Sequence, residues 1–441
     1  MKVTIVGTGY VGLVTGVCFA EFGYEVVCVD KSREIVERLS AGQATIFEPS
    51  LDDLLTRNLA AGRLHFSSNV GESSVRADII IVAVGTPSRR DGAADLQHIF
   101  AAVDEIAKTM PPGAVVAIKS TVAVGTCAQV RERIRRLRPG VAFSVVCNPE
   151  FLRAGAAVAD FMEPDRIVVG ADAETGRSMM RQLYRPLANA GIPLVETSLE
   201  NAEIIKYAAN AFLAMKVTYI NQIADLCEDV GGDILDVSRG VGLDKRIGPQ
   251  FLNAGPGFGG SCFPKDTKAF AATGRKHGVP QRLIETVVDI NIERKRALAA
   301  RIVRLAKKVD GDTVAVLGIA FKSGTDDIRE APALDIVPLL QEAGLTVRAH
   351  DPEAMENGRH ALAGVIWCET VLETVKGADL TIVMTEWPAY RALDLRLAAG
   401  LMKGKVLVDF RNIYRAADLQ DTGLSYYPIG RPVLSPLTEP S

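Results

Sequence analysis

The sequence predicts an α/β protein built from two doubly wound parallel-sheet units joined by a long helix and a helical middle segment. Three observations carry this. Short apolar runs alternate with helical stretches in two separate blocks, the pattern of parallel sheets covered by helices on both faces. At 441 residues the chain is too long for one core, since domains usually run to about 100–200 residues. Between the blocks, Glu200 to Val230 keeps a helical pattern with no glycine or proline until Gly231.

Lys2–Val6, Glu25–Val29, Asp78–Val84, Ala114–Lys119, Ser144–Cys147 and Arg166–Gly170 read as strands of the first unit. They are continuous apolar runs rather than alternations, as expected for strands buried on both faces. This unit is expected over residues 1–198. The helical middle segment follows over 199–310, with a further helix at Leu283–Lys308. The second sheet unit is expected over 311–441, with strands at Thr313–Gly318, Thr346–His350, Leu380–Met384 and Val406–Phe410. The tail after Pro428 is rich in proline and serine and is expected to fray.

The net charge of -3 offers no basic footprint for nucleic acid and no polybasic membrane anchor. No apolar run approaches the roughly 20 residues of a membrane helix, and with a strand expected from Lys2 no signal peptide is expected. The cysteines at 18, 28, 127, 147, 227, 262 and 368 are odd in number and form no Cys-x-x-Cys pair. That is neither a disulfide framework nor a metal site, and it predicts a reducing, cytoplasmic setting.

Gly7-Thr8-Gly9-Tyr10-Val11-Gly12 follows the first strand and opens a helical run. Gly7 permits a tight turn. Gly9 lets a pyrophosphate approach the helix N-terminus, and Gly12 allows close helix–strand packing. This is the Rossmann fingerprint in its required context. Asp30 ends the next strand, eighteen residues after Gly12. A carboxylate there accepts from ribose hydroxyls and repels a 2′-phosphate, so NAD is expected rather than NADP. The second unit lacks the second and third glycines and is not expected to bind the same ligand in the same way.

The stretch Gly255-Pro256-Gly257-Phe258-Gly259-Gly260-Ser261-Cys262-Phe263-Pro264-Lys265-Asp266 places one cysteine at the end of a glycine-rich turn. The glycines read as letting the backbone approach a ligand. An ammonium nearby favours the thiolate, which is the nucleophile; a buried core cysteine is the other reading. Lys206 and Asn210 share one helix face and suit an oxyanion, although spacing alone also fits a solvated face. Lys119-Ser120-Thr121-Val122 and Asn148-Pro149-Glu150-Phe151-Leu152 follow adjacent strands, where sheet ligands bind, or cap helices.

With these residues assembled, the chain resembles the UDP-glucose/GDP-mannose dehydrogenase family, nucleotide-sugar dehydrogenases that make uronic acids. The resemblance runs from the Gly7 fingerprint to Val408-Asp409-Phe410-Arg411-Asn412. Its most specific marks are Gly257 to Asp266 and Asn148 to Leu152, with Lys206-x-x-x-Asn210 and Ala320-Phe321-Lys322 beside them. It implies two Rossmann-like domains, for NAD and for the UDP-sugar, around a dimer-forming middle. It implies a four-electron oxidation at the sugar C6 with two NAD in turn, and a homodimer or higher homo-oligomer.

Carried over, Cys262 is the nucleophile that forms a thiohemiacetal and then a thioester. Lys206 and Asn210 hold the developing oxyanion, Asp266 positions or activates water, and Glu150, through water and Thr121, is the acid/base of hydrolysis. Gly7, Gly9, Tyr10, Val11, Gly12, Asp30, Thr86, Thr121, Glu150, Lys265 and Arg329 match cofactor positions. Glu150, Phe151, Leu152, Lys206, Asn210, Arg246, Phe251, Leu252, Asn253, Gly255, Gly259 and Lys322 match substrate positions. Arg246 is implied to reach the sugar held by a partner subunit. Ala154 stands where many relatives carry glutamate, so the acid/base role falls to Glu150 alone. Ser261 and Phe263 point to UDP-glucose over UDP-N-acetylmannosamine or GDP-mannose. Two other readings need no such carry-over: a two-electron hydroxyacid dehydrogenase, which leaves Cys262 without a purpose, and a non-catalytic NAD-binding redox sensor.

Overall fold

A computed structural model describes residues 1–435. The chain divides into two compact units, Met1–Ala209 with Lys268–Gln281, and Asn210–Thr267 with the chain from Arg282 onward. Each holds one sheet.

The first sheet comprises β1 (Lys2–Val6), β2 (Glu25–Val29), β3 (Leu64–Ser67), β4 (Ile79–Val82), β5 (Val115–Ile118), β6 (Ser144–Cys147), β7 (Ile167–Ala171) and β8 (Leu194–Thr197). Their order is β3-β2-β1-β4-β5-β6-β7-β8. The pairs are parallel except β6 with β7, which is antiparallel. The order reverses between β1 and β4, which opens the crevice at their C-terminal ends where sheet ligands bind.

Successive residues of one strand feed opposite cores. On β4, Ile79 and Ile81 enter one core while Ile80 and Val82 enter the other. That is why the strand reads as an unbroken apolar run, and each such side chain contributes roughly 1.5–3 kcal/mol. β3 and β8 were not expected. They are edge strands, and β8 leaves Val195 and Glu196 exposed, so neither has an apolar run to betray it.

The second sheet comprises β9 (Thr313–Leu317), β10 (Thr346–His350), β11 (Ile366–Trp367), β12 (Leu380–Val383), β13 (Val406–Asp409) and β14 (Ser425–Pro428). Its order is β11-β10-β9-β12-β13-β14, parallel throughout. Edge strands β11 and β14 again escaped the pattern.

The expected fraying after Pro428 does not hold through residue 435. Ile429 is fully buried, and the Gly430 N–H donates to Glu228 Oε1 at 2.8 Å. Arg431 pairs with Asp233 at 3.1 Å, and Leu434 pairs with Tyr426. A buried isoleucine and the paired Gly430 and Arg431 outweigh local composition. Residues 436–441 lie outside the described residues.

The helix Leu199–Val230 runs through 32 residues and belongs in part to each unit. Near its start, the Glu203 carboxylate accepts from the N–H groups of Gly125 at 2.6 Å and Cys127 at 2.8 Å. It thereby caps the helix Thr126–Leu137, whose first amides lack a partner within the helix. Among the described residues no helix is long and apolar enough to cross a membrane.

Candidate active site

β1 ends at Val6 and a helix begins at Tyr10, so Gly7-Thr8-Gly9 makes the whole turn. Gly7 has φ +103°, and a Cβ there would stand 2.7 Å from the Ala83 carbonyl oxygen. A Cβ on Gly12 would collide with the Gly7 carbonyl. Around Gly9, by contrast, nothing lies within 4 Å of where a Cβ would be, and no side chain caps the helix. Open amides at a helix N-terminus are what a pyrophosphate needs, so the turn fits NAD.

Asp30 Oδ2 accepts from the Thr8 N–H at 3.1 Å and the Thr8 hydroxyl at 2.8 Å, and its Oδ1 accepts from the Ser32 N–H at 3.0 Å. Asp30 is thus fixed beside the turn and is not a wandering surface acid. The Thr86 hydroxyl donates to the Thr121 carbonyl at 2.9 Å, which joins the loops after β4 and β5. The Ser120 hydroxyl is spent on the Val84 carbonyl at 2.7 Å. That leaves the Thr121 hydroxyl as the one on this loop available to a ligand.

The loop after β6 carries Glu150. Lys206 Nζ donates to Glu150 Oε1 at 2.9 Å, with side chains only 4% and 5% exposed. The Leu152 N–H donates to the other carboxylate oxygen at 2.6 Å. Burial pushes the Glu150 carboxyl up, but Lys206, the Leu152 N–H and Lys119 outweigh it and hold the group below its ordinary value. It is a carboxylate at neutral pH. Phe151 lies beneath the Arg166 guanidinium, 3.6 Å from the ring centroid. Leu152 packs against the first core.

Lys206 and Asn210 are both buried, which excludes the solvated-face reading of their spacing. Asn210 donates its amide to Asp266 Oδ2 at 2.6 Å, and Lys265 Nζ donates to Asp266 Oδ1 at 2.6 Å. Cys262 is half-buried, not a core residue. Its carbonyl accepts from the Asp266 N–H at 2.8 Å, so it stands at the N-terminal end of the helix Phe263–Lys276. The Ser261 hydroxyl lies 3.6 Å from Sγ. Asp327 and, more weakly, the Cys262 sulfur hold the Arg329 guanidinium above its usual range.

Three of the glycines before Cys262 lie against the protein's own atoms. A Cβ on Gly257 would stand 2.6 Å from Asn291 Oδ1, and one on Gly259 would stand 2.5 Å from the Glu330 carbonyl. Gly260, at φ +82°, would drive a Cβ to 2.9 Å from the Phe321 ring. These three positions make room for the protein's own atoms. The loop is also held by polar residues that sequence reasoning missed. Asn221 accepts from the Gly255 N–H at 2.8 Å, Arg294 donates to the Gly255 carbonyl at 2.7 Å, and Asn291 bonds both backbone groups of Phe258.

Other predicted residues stand apart from these pairs. Arg246 is 89% exposed in its side chain and pairs with Asp244 at 2.6 Å. Phe251 takes the left-handed φ of 63°, with its ring 5.8 Å from that of Phe263. Leu252 is buried and Asn253 exposed. The Lys322 ammonium lies 5.8 Å from the Phe321 ring centroid. At the Ala154 departure, the backbone is secured by Glu48, which accepts from Gly155 at 2.8 Å and Ala157 at 2.6 Å, and by the Tyr10 hydroxyl, which accepts from Gly155 at 2.8 Å. Nothing local in the sequence marks Glu48 for this.

Asp351 follows β10 as Asp30 follows β2. Its carboxylate already accepts from the N–H groups of Ile319, Ala320, Glu353 and Ala354 and from the Trp387 indole. It has no capacity left for a ribose, in keeping with a second unit that does not repeat the dinucleotide site.

Residues 1–188 match the NAD binding domain of the UDP-glucose/GDP-mannose dehydrogenase family, residues 200–293 its central domain and residues 315–416 its UDP binding domain. The UDP-glucose 6-dehydrogenase of Rhizobium meliloti is 50% identical over 98% of this chain and 100% of its own length. TuaD, a UDP-glucose 6-dehydrogenase of Bacillus subtilis, is 42% identical over 100% of this chain and 95% of its own. The solved UDP-glucose dehydrogenase of Pyrobaculum islandicum superposes with a TM-score of 0.90 at 38% identity, over 98% of each chain. The UDP-D-ManNAc dehydrogenase of Pyrococcus horikoshii does so with a TM-score of 0.86 at 27% identity, over 98% of this chain and 99% of that one. The chain belongs to the UDP-glucose/GDP-mannose dehydrogenase family.

Proposed function

We propose that this enzyme oxidises the C6 alcohol of UDP-glucose to the carboxylate of UDP-glucuronate. The observation that carries the reading is the placement of Cys262. It is half-buried at a helix N-terminus, and Asp266, one turn further on, holds Asn210. The turn at Gly7–Gly12 would hold NAD, which would supply the hydride acceptor for each of two oxidations.

The chain's own residues do the rest. The first oxidation leaves an aldehyde at C6. The Cys262 thiolate adds to that carbon, a C–S bond forms, and the carbonyl electron pair moves onto oxygen. Lys206 and Asn210 hold that oxygen as it gains charge. Loss of the second hydride turns the thiohemiacetal into a thioester. Water, positioned by Asp266 and deprotonated by Glu150 with Thr121, then attacks; the C–S bond breaks and the thiolate returns. A helix N-terminus and the field of Arg329 favour that thiolate.

For the substrate we assign Phe151, Leu152, Phe251, Leu252, Asn253, Gly255, Gly259 and Lys322 to contacts with the nucleotide sugar, and Lys265 and Arg329 to the cofactor. Arg246 reaches a sugar bound by a second copy of the chain. Its side chain is exposed and already oriented by Asp244. A homodimer is supported by Phe212, Tyr219 and Leu226, which are 57%, 52% and 56% exposed and recur every seven residues along one helix. Such a spacing keeps them on one face. We place the enzyme in the cytoplasm on its cysteine usage.

A panel of nucleotide sugars with NAD tests the reading. NADH absorbance should rise with UDP-glucose and stay flat with UDP-N-acetylmannosamine and GDP-mannose. A preference for either of the latter would overturn the substrate assignment.

A further inference from the structure

Lys119 directly follows β5. Its side chain is buried, at 3% exposure. Nζ donates to Asn148 Oδ1 at 3.2 Å and to the Tyr184 hydroxyl at 3.3 Å. It lies 5.9 Å and 6.0 Å from the ring centroids of Phe161 and Tyr184. Among the described residues no carboxylate stands within ion-pairing distance of it. An ammonium taken out of water is costly, and neutral oxygens and ring faces offset only part of the cost. Something nearby must answer its charge.

Asn148 shows where that answer lies. Its Oδ1 accepts from both Lys119 and the Tyr184 hydroxyl, the latter at 2.7 Å, while its Nδ2 donates to the Val168 carbonyl at 2.9 Å. Asn148 stands two residues before Glu150, so the amide that holds Lys119 also anchors the catalytic loop. Glu150 pairs with Lys206 from the long helix at 2.9 Å; Lys119, at the end of β5, is held by Asn148 two residues away, and Arg166, before β7, stacks on Phe151, the next residue, so that the charges of both act on the carboxylate.

Lys206 carries two duties in the proposed reaction. It pairs with Glu150 and it holds the oxygen that becomes negative. When it turns to that oxygen, Glu150 would lose its partner in a site with almost no solvent. We propose that Lys119 is the fixed counter-charge of Glu150, a positioning residue that keeps the carboxylate ionised and in place while Lys206 engages the substrate. Lys119 is suited to this because its own bonds are to neutral groups and its burial keeps it from the ligand. The proposal rests on the acid/base reading of Glu150 given above.

The test compares Lys119→Met with Tyr184→Phe. Methionine keeps the shape and packs on the same rings without charge; phenylalanine removes one acceptor of Lys119 and leaves the charge. The Glu150 carboxyl is titrated by NMR in protein labelled at glutamate carboxyl carbon, assigned with Glu150→Gln. Thioester hydrolysis is followed in single turnover across pH. In Lys119→Met the Glu150 titration should rise by about one unit, and the acidic limb of hydrolysis should rise with it. Tyr184→Phe should move neither. An unmoved Glu150 titration in folded Lys119→Met overturns the proposal. A titration that moves while hydrolysis does not upholds the counter-charge and overturns the acid/base role of Glu150 instead. Should Lys119→Met fail to fold, Lys119→Gln carries the same test with the same outcomes.

Discussion

Asn210 donates its side-chain amide to Asp266 at 2.6 Å, and Asp266 is itself 1% exposed. A carboxamide has two N–H donors. With one spent on a fixed carboxylate, the direction of the other is set before any substrate arrives. Lys206 lies one turn away on the same helix and is set in the same manner by Glu150. In the reaction proposed above, Asn210 would thus be aimed before charge develops, whereas Lys206 would have to leave Glu150 to engage the oxygen.

Asp266→Ala should break that aim. The variant leaves the Asn210 amide buried without its acceptor, which costs about 1–3 kcal/mol. We expect kcat to fall at least tenfold, with KM for the nucleotide sugar changing less. Steady-state kinetics and urea unfolding on one preparation check both effects.

Gly260→Ala should be worse than Gly255→Ala. At Gly260 the backbone has φ +82° and a Cβ would press on the Phe321 ring at 2.9 Å, whereas at Gly255 the nearest atom would be 3.5 Å away. We expect a loss of about 1–3 kcal/mol at Gly260 and a smaller one at Gly255. Thermal unfolding of the two variants decides the order.

What the sequence made legible was local. The strands buried on both faces read directly as apolar runs, and the turn at Gly7 to Gly12 read directly because its steric demands fall within six residues. Edge strands such as β8 were hidden, since an edge needs no apolar run. Every candidate at Glu150, Lys206, Asn210 and Asp266 was visible as a residue. Their pairing was not, because each pair is separated by 56 residues and only the fold brings it together. Glu48, 107 residues from Gly155, left no trace at all. The glycines before Cys262 were visible, but the atoms of Asn291, Glu330 and Phe321 that three of them accommodate could be named by no local pattern.

Charging the exposed helix face should abolish association. We expect Phe212→Glu combined with Tyr219→Glu to give monomers by light scattering, with NAD affinity kept and sugar oxidation lost. Loss of oxidation would follow from removing Arg246 of one chain from the sugar of the other.

Burial pushes the His350 imidazole below its usual value, against the weaker pull of Asp351 and Glu369. In the window just below about 6.5 the unfolded chain takes up the proton that the folded one refuses. Stability is therefore lost as pH falls through that window. His350→Gln should flatten the fall in Tm between about pH 7 and 5.5, measured by calorimetry against the wild type.

In the proposed reaction Cys262 retains the aldehyde and carries it through a second oxidation. The most direct measurement is the number of NADH formed for each uronate released from UDP-glucose, with free aldehyde assayed in the same reaction. A sulfur-bound intermediate should give about two NADH per acid and almost no free aldehyde. About one NADH per sugar consumed, with aldehyde accumulating in solution, would contradict it.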